Sequence, residues 1–341
     1  MNVEIITKDD LACDAFVSQR PDGKICHLPA WGKVVARATG LNAFYLVARD
    51  HENVHAVLPL VHVRSILFGN FMVSQGFSDY GGPLADSIEA RDALFSYAVE
   101  LATEYKCKSI EFRNTATLPY ELHLRTDKMT MHLPLASDPE ELWKNFRPEI
   151  RNRIRKAEKS GLITIDGGLE LLDDFYRVWT VRMQQLGTPC YPRRLMRSIM
   201  ETFPNNSRIF IVRHNDLPAG GGFTTCFNGF ADMQWVATLT EYNNLAPNNL
   251  LYWSVIKYYC VAGASWFDFG RCTLGSPTYD FKSRWRPIEV KLYYQYWTEP
   301  GRQLSIISPD NPKYKRKEEM WKRFPLWLTR LIGPIISRNL P

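Results

Sequence analysis

The chain has 341 residues, 45% of them hydrophobic and 23% charged, with a formal net charge of +6. That length suits two domains, and the composition is that of an ordinary globular protein. The small basic excess permits an anionic ligand or membrane surface without pointing to DNA. No run reaches the ~18 apolar residues of a membrane span. The first residues lack a basic region followed by an apolar run, so no secretory signal is expected.

In chain order, residues 3–7 read as a strand and 10–20 as a helix. His27-Leu28-Pro29-Ala30-Trp31 opens a second helix that runs to about Thr39 and stops at Gly40. Phe44–Ala48 and Val54–His62 are strands around a polar turn, and Leu67–Val73 continues the sheet. Asp79-Tyr80-Gly81-Gly82-Pro83 is a turn or binding loop. A helix over Ala85–Tyr105 follows, then strands at Ser109–Arg113 and Lys128–Leu133. Glu111 and Arg113 share one strand face, which suits a buried ion pair.

Glu140–Ser160 is helical, with Pro148 starting or kinking a second segment. There Arg147, Arg151, Arg155 and Lys159 recur every four residues on one face. Such a ridge is either a solvated surface or a seat for a diphosphate or polyanion. The element order then repeats: helices over Leu169–Leu186 and from Arg193 to Phe203, strands at Ser207–Arg213, Gly220–Cys226 and Asp232–Ala237, a helix over Asn248–Ala262, and strands at Trp266–Phe269 and Val290–Tyr296. The halves read as two copies of one α/β unit, joined near residues 134–145.

The tail is basic over Pro309–Glu319. It then carries Met320, Trp321, Phe324, Trp327, Leu328, Leu331, Ile332, Ile335 and Ile336 at near-helical spacing, with Pro325 and Pro334 between. It reads as an interfacial helix with basic flanks, or as a segment docked on the protein's own core. Seven cysteines without a C-x-x-C pair read as reduced thiols, Cys272 being the best placed for nucleophilic work. No metal-ligand cluster, Walker loop or nucleophile elbow is present, and no metal is expected.

The densest chemistry is Phe267-Asp268-Phe269-Gly270-Arg271 at a strand end, followed by a loop carrying Tyr279-Asp280-Phe281-Lys282. Asp268 can position or deprotonate an amine, or pair with Arg271 as a fixed acid. Lys282 can donate to an oxyanion or a phosphate, and Tyr279 can orient it or protonate a leaving group. Arg271 can hold a phosphate or carboxylate. Asn248 and Asn249 follow Pro247 at a helix start, where free N–H groups bind phosphate or Asn248 simply caps. Asp79 and Tyr80 can contact an acceptor, and His27 is a base or an orienting group at its helix start.

With His27-Leu28-Pro29-Ala30-Trp31, Leu58-Pro59-Leu60, Phe68-Gly69, Tyr80-Gly81-Gly82, Glu111-Phe112-Arg113, Arg151–Gly161, Leu186-Gly187-Thr188-Pro189 and Pro247-Asn248, these segments resemble the FemAB-like branch of the GNAT acyltransferase superfamily. The resemblance covers most of residues 25–297 and is strongest to the exopolysaccharide/exosortase (PEP-CTERM)-associated type. It implies an α/β (α+β) fold of two tandem GNAT-like domains, each a mixed, mostly antiparallel sheet flanked by helices, with a cleft between them. The expected boundaries are 1–135 and 136–305, with a basic amphipathic tail over 306–341.

The resemblance also implies N-acyl transfer, with acyl-CoA, acyl-carrier protein or aminoacyl-tRNA as co-substrate and no tightly bound cofactor. The expected acceptor is an amine on a nucleotide- or lipid-linked sugar precursor of envelope polysaccharide. An alternative is aminoacyl-tRNA-dependent extension of a peptidoglycan precursor. A third is a non-catalytic scaffold in polysaccharide assembly. Catalytic roles fall on Asp268, Lys282 and Tyr279. Substrate contacts fall on Arg271, Asp79, Tyr80, His27, Asn248, Asn249, Arg151 and Arg155. The expected location is cytoplasmic, peripheral at an anionic membrane through the tail. The superfamily's Gly-rich phosphate-binding turn is missing between Ala237 and Asn248, and no inserted helical hairpin is evident.

Overall fold

The computed structural model describes residues 1–8, 10–304 and 312–340. Residues 309–311, part of the basic stretch of the tail, lie outside the described residues. The first elements are β1 (Asn2–Ile5), α1 (Leu11–Gln19), α2 (Pro29–Thr39), β2 (Asn42–Asp50), β3 (Asn53–Ser65), β4 (Gly69–Ser74), β5 (Leu84–Ala85), α3 (Ile88–Glu104), β6 (Ser109–Asn114) and β7 (His123–Arg125). Next come β8 (Lys128–Pro134), α4 (Pro139–Asn145), α5 (Pro148–Lys159), β9 (Leu162–Gly167), α6 (Leu172–Leu186), α7 (Arg193–Thr202), β10 (Ser207–His214), β11 (Leu217–Phe227) and β12 (Phe230–Thr238). The chain closes with α8 (Pro247–Val261), β13 (Trp266–Asp268), β14 (Cys272–Thr273), α9 (Pro277–Ser283), β15 (Ile288–Lys291), β16 (Tyr293–Thr298), α10 (Pro312–Arg323) and α11 (Leu326–Ser337).

Two compact units result. One holds residues 1–128, the strand region from Lys291 and the last residues of the chain; the other holds residues 129–290 and the tail helices up to Ile336. Each has an eight-stranded sheet. The first runs β1-β2-β3-β4-β6-β16-β7, with β5 on β3. The second runs β14-β8-β13-β12-β11-β10-β9, with β15 on β8. The strand read from sequence at Val290–Tyr296 is two elements. The second of them, β16, pairs with β6 and β7 in the first sheet.

Pairing among β1–β7 and β16, and among β8–β13, is antiparallel except at one place in each sheet. Met72 and Val73 of β4 pair parallel with Ile110 and Glu111 of β6, and Phe230–Asp232 of β12 pair parallel with Trp266–Asp268 of β13. A helix, α3 or α8, makes each crossover, as parallel neighbours require. The two units therefore repeat one plan: an antiparallel meander, a helix, and a short parallel pair.

Local sequence accounts for most elements. Pro29 opens α2, and Gly40 closes it in a left-handed turn at φ 75°. Pro148 begins α5 as a separate helix, burying Ile150, Ile154 and Ala157. The first core packs Leu46, Leu58, Leu60 and Met72 against Leu94, Ala98 and Phe112. The second packs Phe210, Met233, Leu251, Tyr252, Phe267 and Trp285, with Tyr252 stacked on Phe269 at 5.4 Å between ring centroids.

The segment Tyr279–Lys282 differs from its sequence reading. It is not a loop but part of the helix α9. The Ser276 hydroxyl accepts from the Tyr279 N–H, and Pro277 occupies the first turn.

Candidate functional site

In the second unit, the pairing of β12 with β13 stops at Asp232 and Asp268, while β12 continues to Thr238. A register shift between Phe223 and Thr224 on β11 bulges the β11–β12 ladder alongside. The two central strands thus part at their carboxyl ends, where an open α/β sheet exposes a crevice.

Asp268 lies at the point of divergence and is fully buried. Its carboxylate accepts from the Thr130 hydroxyl and, at 2.8 Å, from the Gly270 N–H. His132 Nε2 stands 3.5 Å from its second oxygen. Thr130 and His132 alternate along β8 and so share the face that Asp268 uses. Gly270 takes φ 76°, a conformation that favours glycine. Lys282, also buried, donates from α9 to the Gly270 carbonyl at 2.7 Å and to the Arg271 carbonyl at 3.0 Å. The turn after β13 is therefore held by an anion on one side and a cation on the other. Arg271 itself is exposed.

Tyr279 points elsewhere: its hydroxyl donates to Glu289 Oε1 at 2.7 Å, and that bond raises its pKa. The same α9 region borders the basic helix. Arg284 pairs with Glu149 at 2.9 Å, Glu149 also pairs with Arg153, and Arg286 Nη1 reaches the Asn145 carbonyl. Arg151 is half-buried, with an Nε that finds no partner among the described residues. Arg155 is exposed and lies over the Trp143 ring at 5.4 Å.

The N-terminus of α8 carries no side-chain cap. Ala246, at φ 60°, holds the cap position and Pro247 the first turn, so Asn248 is inside the helix and does not cap it, contrary to one sequence reading. Asn249 is buried, and its Nδ2, like Asn248 Oδ1, finds no hydrogen-bond partner among the described residues. A bare helix start with orphaned amide groups is suited to a polar or anionic ligand.

In the first unit the equivalent divergence is filled by the chain itself. The Ser74 hydroxyl accepts from Arg113 N–H at 2.8 Å, and Gly81 N–H donates to the Arg113 carbonyl at 3.1 Å. A Cβ on Gly82 would fall 1.6 Å from Asn114 Oδ1, so only glycine fits. Gln75, in a left-handed conformation, donates to the Cys26 carbonyl. Tyr294 donates to the Asp79 carbonyl at 2.7 Å. Tyr80 is buried and Asp79 half-buried. Arg113 pairs with Glu111 at 2.7 Å, the ion pair that strand alternation suggests.

His27 is buried behind this loop. Its Nδ1 accepts from Lys24 N–H at 3.0 Å, and its Nε2 therefore donates to the Gly82 carbonyl at 3.1 Å. Burial lowers its pKa to about 4, so it is a neutral clamp at neutral pH. All seven cysteines are free. Burial pushes Cys226 and Cys260 up to about 11.

His27, Asp79 and Tyr80 thus belong to one assembly in the first unit. Asp268, Arg271 and Lys282 belong to one turn in the second. His132, Thr130 and Gln75 are not singled out by sequence, although the alternation along β8 already puts Thr130 and His132 on one face.

Residues 144–283 match the model of an acetyltransferase (GNAT) domain. No curated protein matches the chain. Among solved structures, FemX aligns at 17% identity over 86% of this chain and 97% of its own, with a TM-score of 0.67. A tandem GNAT protein from the clavulanic acid biosynthesis pathway aligns at 13% identity over 89% of this chain and 100% of its own, TM-score 0.55. L-PGS from Bacillus licheniformis aligns at 10% identity over 90% and 98%, TM-score 0.54. The chain therefore carries the GNAT fold twice in tandem, as the sequence resemblance implies.

Proposed function

We propose that the protein is an acyltransferase of the FemAB-like kind that moves an aminoacyl or acyl group from an activated donor to an amine of a cell-envelope precursor. The observation that supports it most is the likeness to FemX across both units, which favours a peptidoglycan-type acceptor and an aminoacyl-tRNA donor over an amino-sugar acceptor and acyl-CoA. Aminoacyl-tRNA and acyl-CoA are both made in the cytoplasm, and the reaction belongs there.

The amine nitrogen attacks the donor carbonyl, forming the C–N bond. The C–O bond to the tRNA ribose, or the C–S bond of a thioester, then breaks. The amine, neutral when it attacks, gives up one proton as the amide forms, and the departing oxygen or sulfur takes it. Holding both substrates together makes a covalent enzyme intermediate unnecessary. Lys282 supplies fixed positive charge beneath the Gly270–Arg271 turn, favouring oxyanion formation. Asp268 acts as a positioning group through Gly270 and His132. Tyr279, its hydroxyl tied to Glu289, serves in shaping α9. Asn248 and Asn249 meet the donor at the start of α8, and Arg271, Arg151 and Arg155 meet its phosphates; within the first unit, His27, Asp79 and Tyr80 order the loop over residues 79–83.

The test is a donor-by-acceptor matrix. Charged tRNA, acyl-CoA and acyl-carrier conjugates are each offered with nucleotide-linked muramyl peptides and amino-sugar nucleotides, and amide product is read by mass spectrometry. Amide formed from charged tRNA on a peptide supports the leading reading. Acyl-CoA with an amino sugar supports the polysaccharide reading. No product from any pair would favour a non-catalytic scaffold.

A further inference from the structure

The tail is anchored on one side and open on the other. Gln184 on α6 donates to the Phe324 carbonyl, and Arg330 Nε donates to the Thr180 hydroxyl at 3.0 Å. A Cβ on Gly333 would lie 3.0 Å from Cys190 Sγ, so α11 approaches the body closely there. Trp321 is buried. The opposite face carries Trp327, Leu331 and Ile335, which are 67%, 62% and 56% exposed. They recur every four residues and form one stripe. Met320 lies exposed ahead of them. Arg323 precedes the stripe and Arg338 follows it along the chain, and both are exposed. An apolar stripe of this kind rimmed by charge marks an interaction surface.

We propose that this face of α11 docks on an anionic lipid surface, the three apolar side chains entering the acyl boundary and the arginines meeting the headgroups. Charge selects this occupant. A second copy of the same face would set the arginines Arg323 and Arg338 against those of its partner, whereas anionic headgroups complement them. Trp beside Arg is suited to interfacial depth, where long basic side chains extend to the headgroups. None of the described helices is long and apolar enough to cross a membrane, so the contact is along the surface. The inference stands independently of the transferred group.

The full-length protein is to be spun with vesicles of phosphatidylglycerol and phosphatidylcholine, and with pure phosphatidylcholine vesicles. The expected result is salt-sensitive binding to the anionic vesicles alone. Binding should fall about tenfold or more in the triple variant Trp327→Ser, Leu331→Ser, Ile335→Ser, given the apolar area removed. The far-UV spectrum and Tm should be unchanged. If the triple variant misfolds, Trp327→Ser alone and Arg323→Glu with Arg338→Glu carry the test, and each should weaken binding. Wild-type protein that ignores anionic vesicles, or variants that bind as well as wild type, would overturn the proposal. So would a triple variant that turns a dimer into a monomer by light scattering without losing vesicle binding.

Discussion

The Lys282 ammonium donates to the Gly270 carbonyl at 2.7 Å, from a helix that follows the strand it braces. A buried ammonium must find acceptors, and here both acceptors with resolved geometry are main-chain carbonyls of one turn. Replacing Lys282 with Met keeps an unbranched side chain, one atom shorter, and removes both bonds. The expected stability loss is about 1.5–3 kcal/mol, the range for hydrogen bonds to a charged group. Denaturant melts of the two proteins measure it.

Asp268→Asn tests the opposite side of the same turn. Thr130 and Gly270 both donate to Oδ1, which an amide oxygen can replace; the amide keeps the volume but loses the buried negative charge and puts an NH2 donor where the second oxygen faces His132. A loss of about 1–3 kcal/mol is expected. If Asp268 also orients His132, the pH dependence of transfer will move in this variant, whereas a purely structural role would leave its shape unchanged.

His27 has a defined pH signature. Its folded pKa of about 4 lies below the ordinary histidine value of 6.5, because burial disfavours the imidazolium. The unfolded chain therefore binds more protons in that interval, and the contribution is complete above pH 6.5 and lost as pH falls toward 4. The magnitude is on the order of 3 kcal/mol. Urea titrations of wild type and His27→Gln between neutral and mildly acidic pH should converge in stability as the pH falls.

Gly82→Ala forces a methyl group into Asn114, whose Oδ1 would stand 1.6 Å away. Asn114 lies on β6 and must move, so a loss of about 1–3 kcal/mol is expected. Gly40→Ala offers a contrast. It meets nothing within 4 Å and pays only the cost of its positive φ. The two Tm values separate steric from backbone strain.

What could be read from sequence was local. The α2 boundaries follow from Pro29 and Gly40, and β2, β3, β10, β11 and β12 follow from their apolar runs. The helix α9 carried a readable signal in Ser276-Pro277, obscured by the aromatic residues after it. The strand β9 is only six residues long and follows Gly161 directly, with little periodicity to mark it. The return of β16 to the first sheet was not readable. Its partners on β6 lie far back along the chain, and no local propensity encodes such a pairing. The site shows the same division. Asp268, Arg271 and Lys282 stand near one another in sequence. His132 approaches Asp268 only because β8 pairs with β13. The orphaned amides of Asn248 and Asn249 become visible only once Ala246 is known to hold the cap position.

The most direct measurement is single-turnover transfer from a labelled donor by wild type and Lys282→Met, both verified as folded. The expected result is labelled amide from the wild type and a drop of about a hundredfold in the variant, the scale of losing an electrostatic contributor to oxyanion stabilisation. No labelled amide from charged tRNA or acyl-CoA, or equal rates in the two proteins, would contradict an acyl-transfer site built on the Gly270–Arg271 turn.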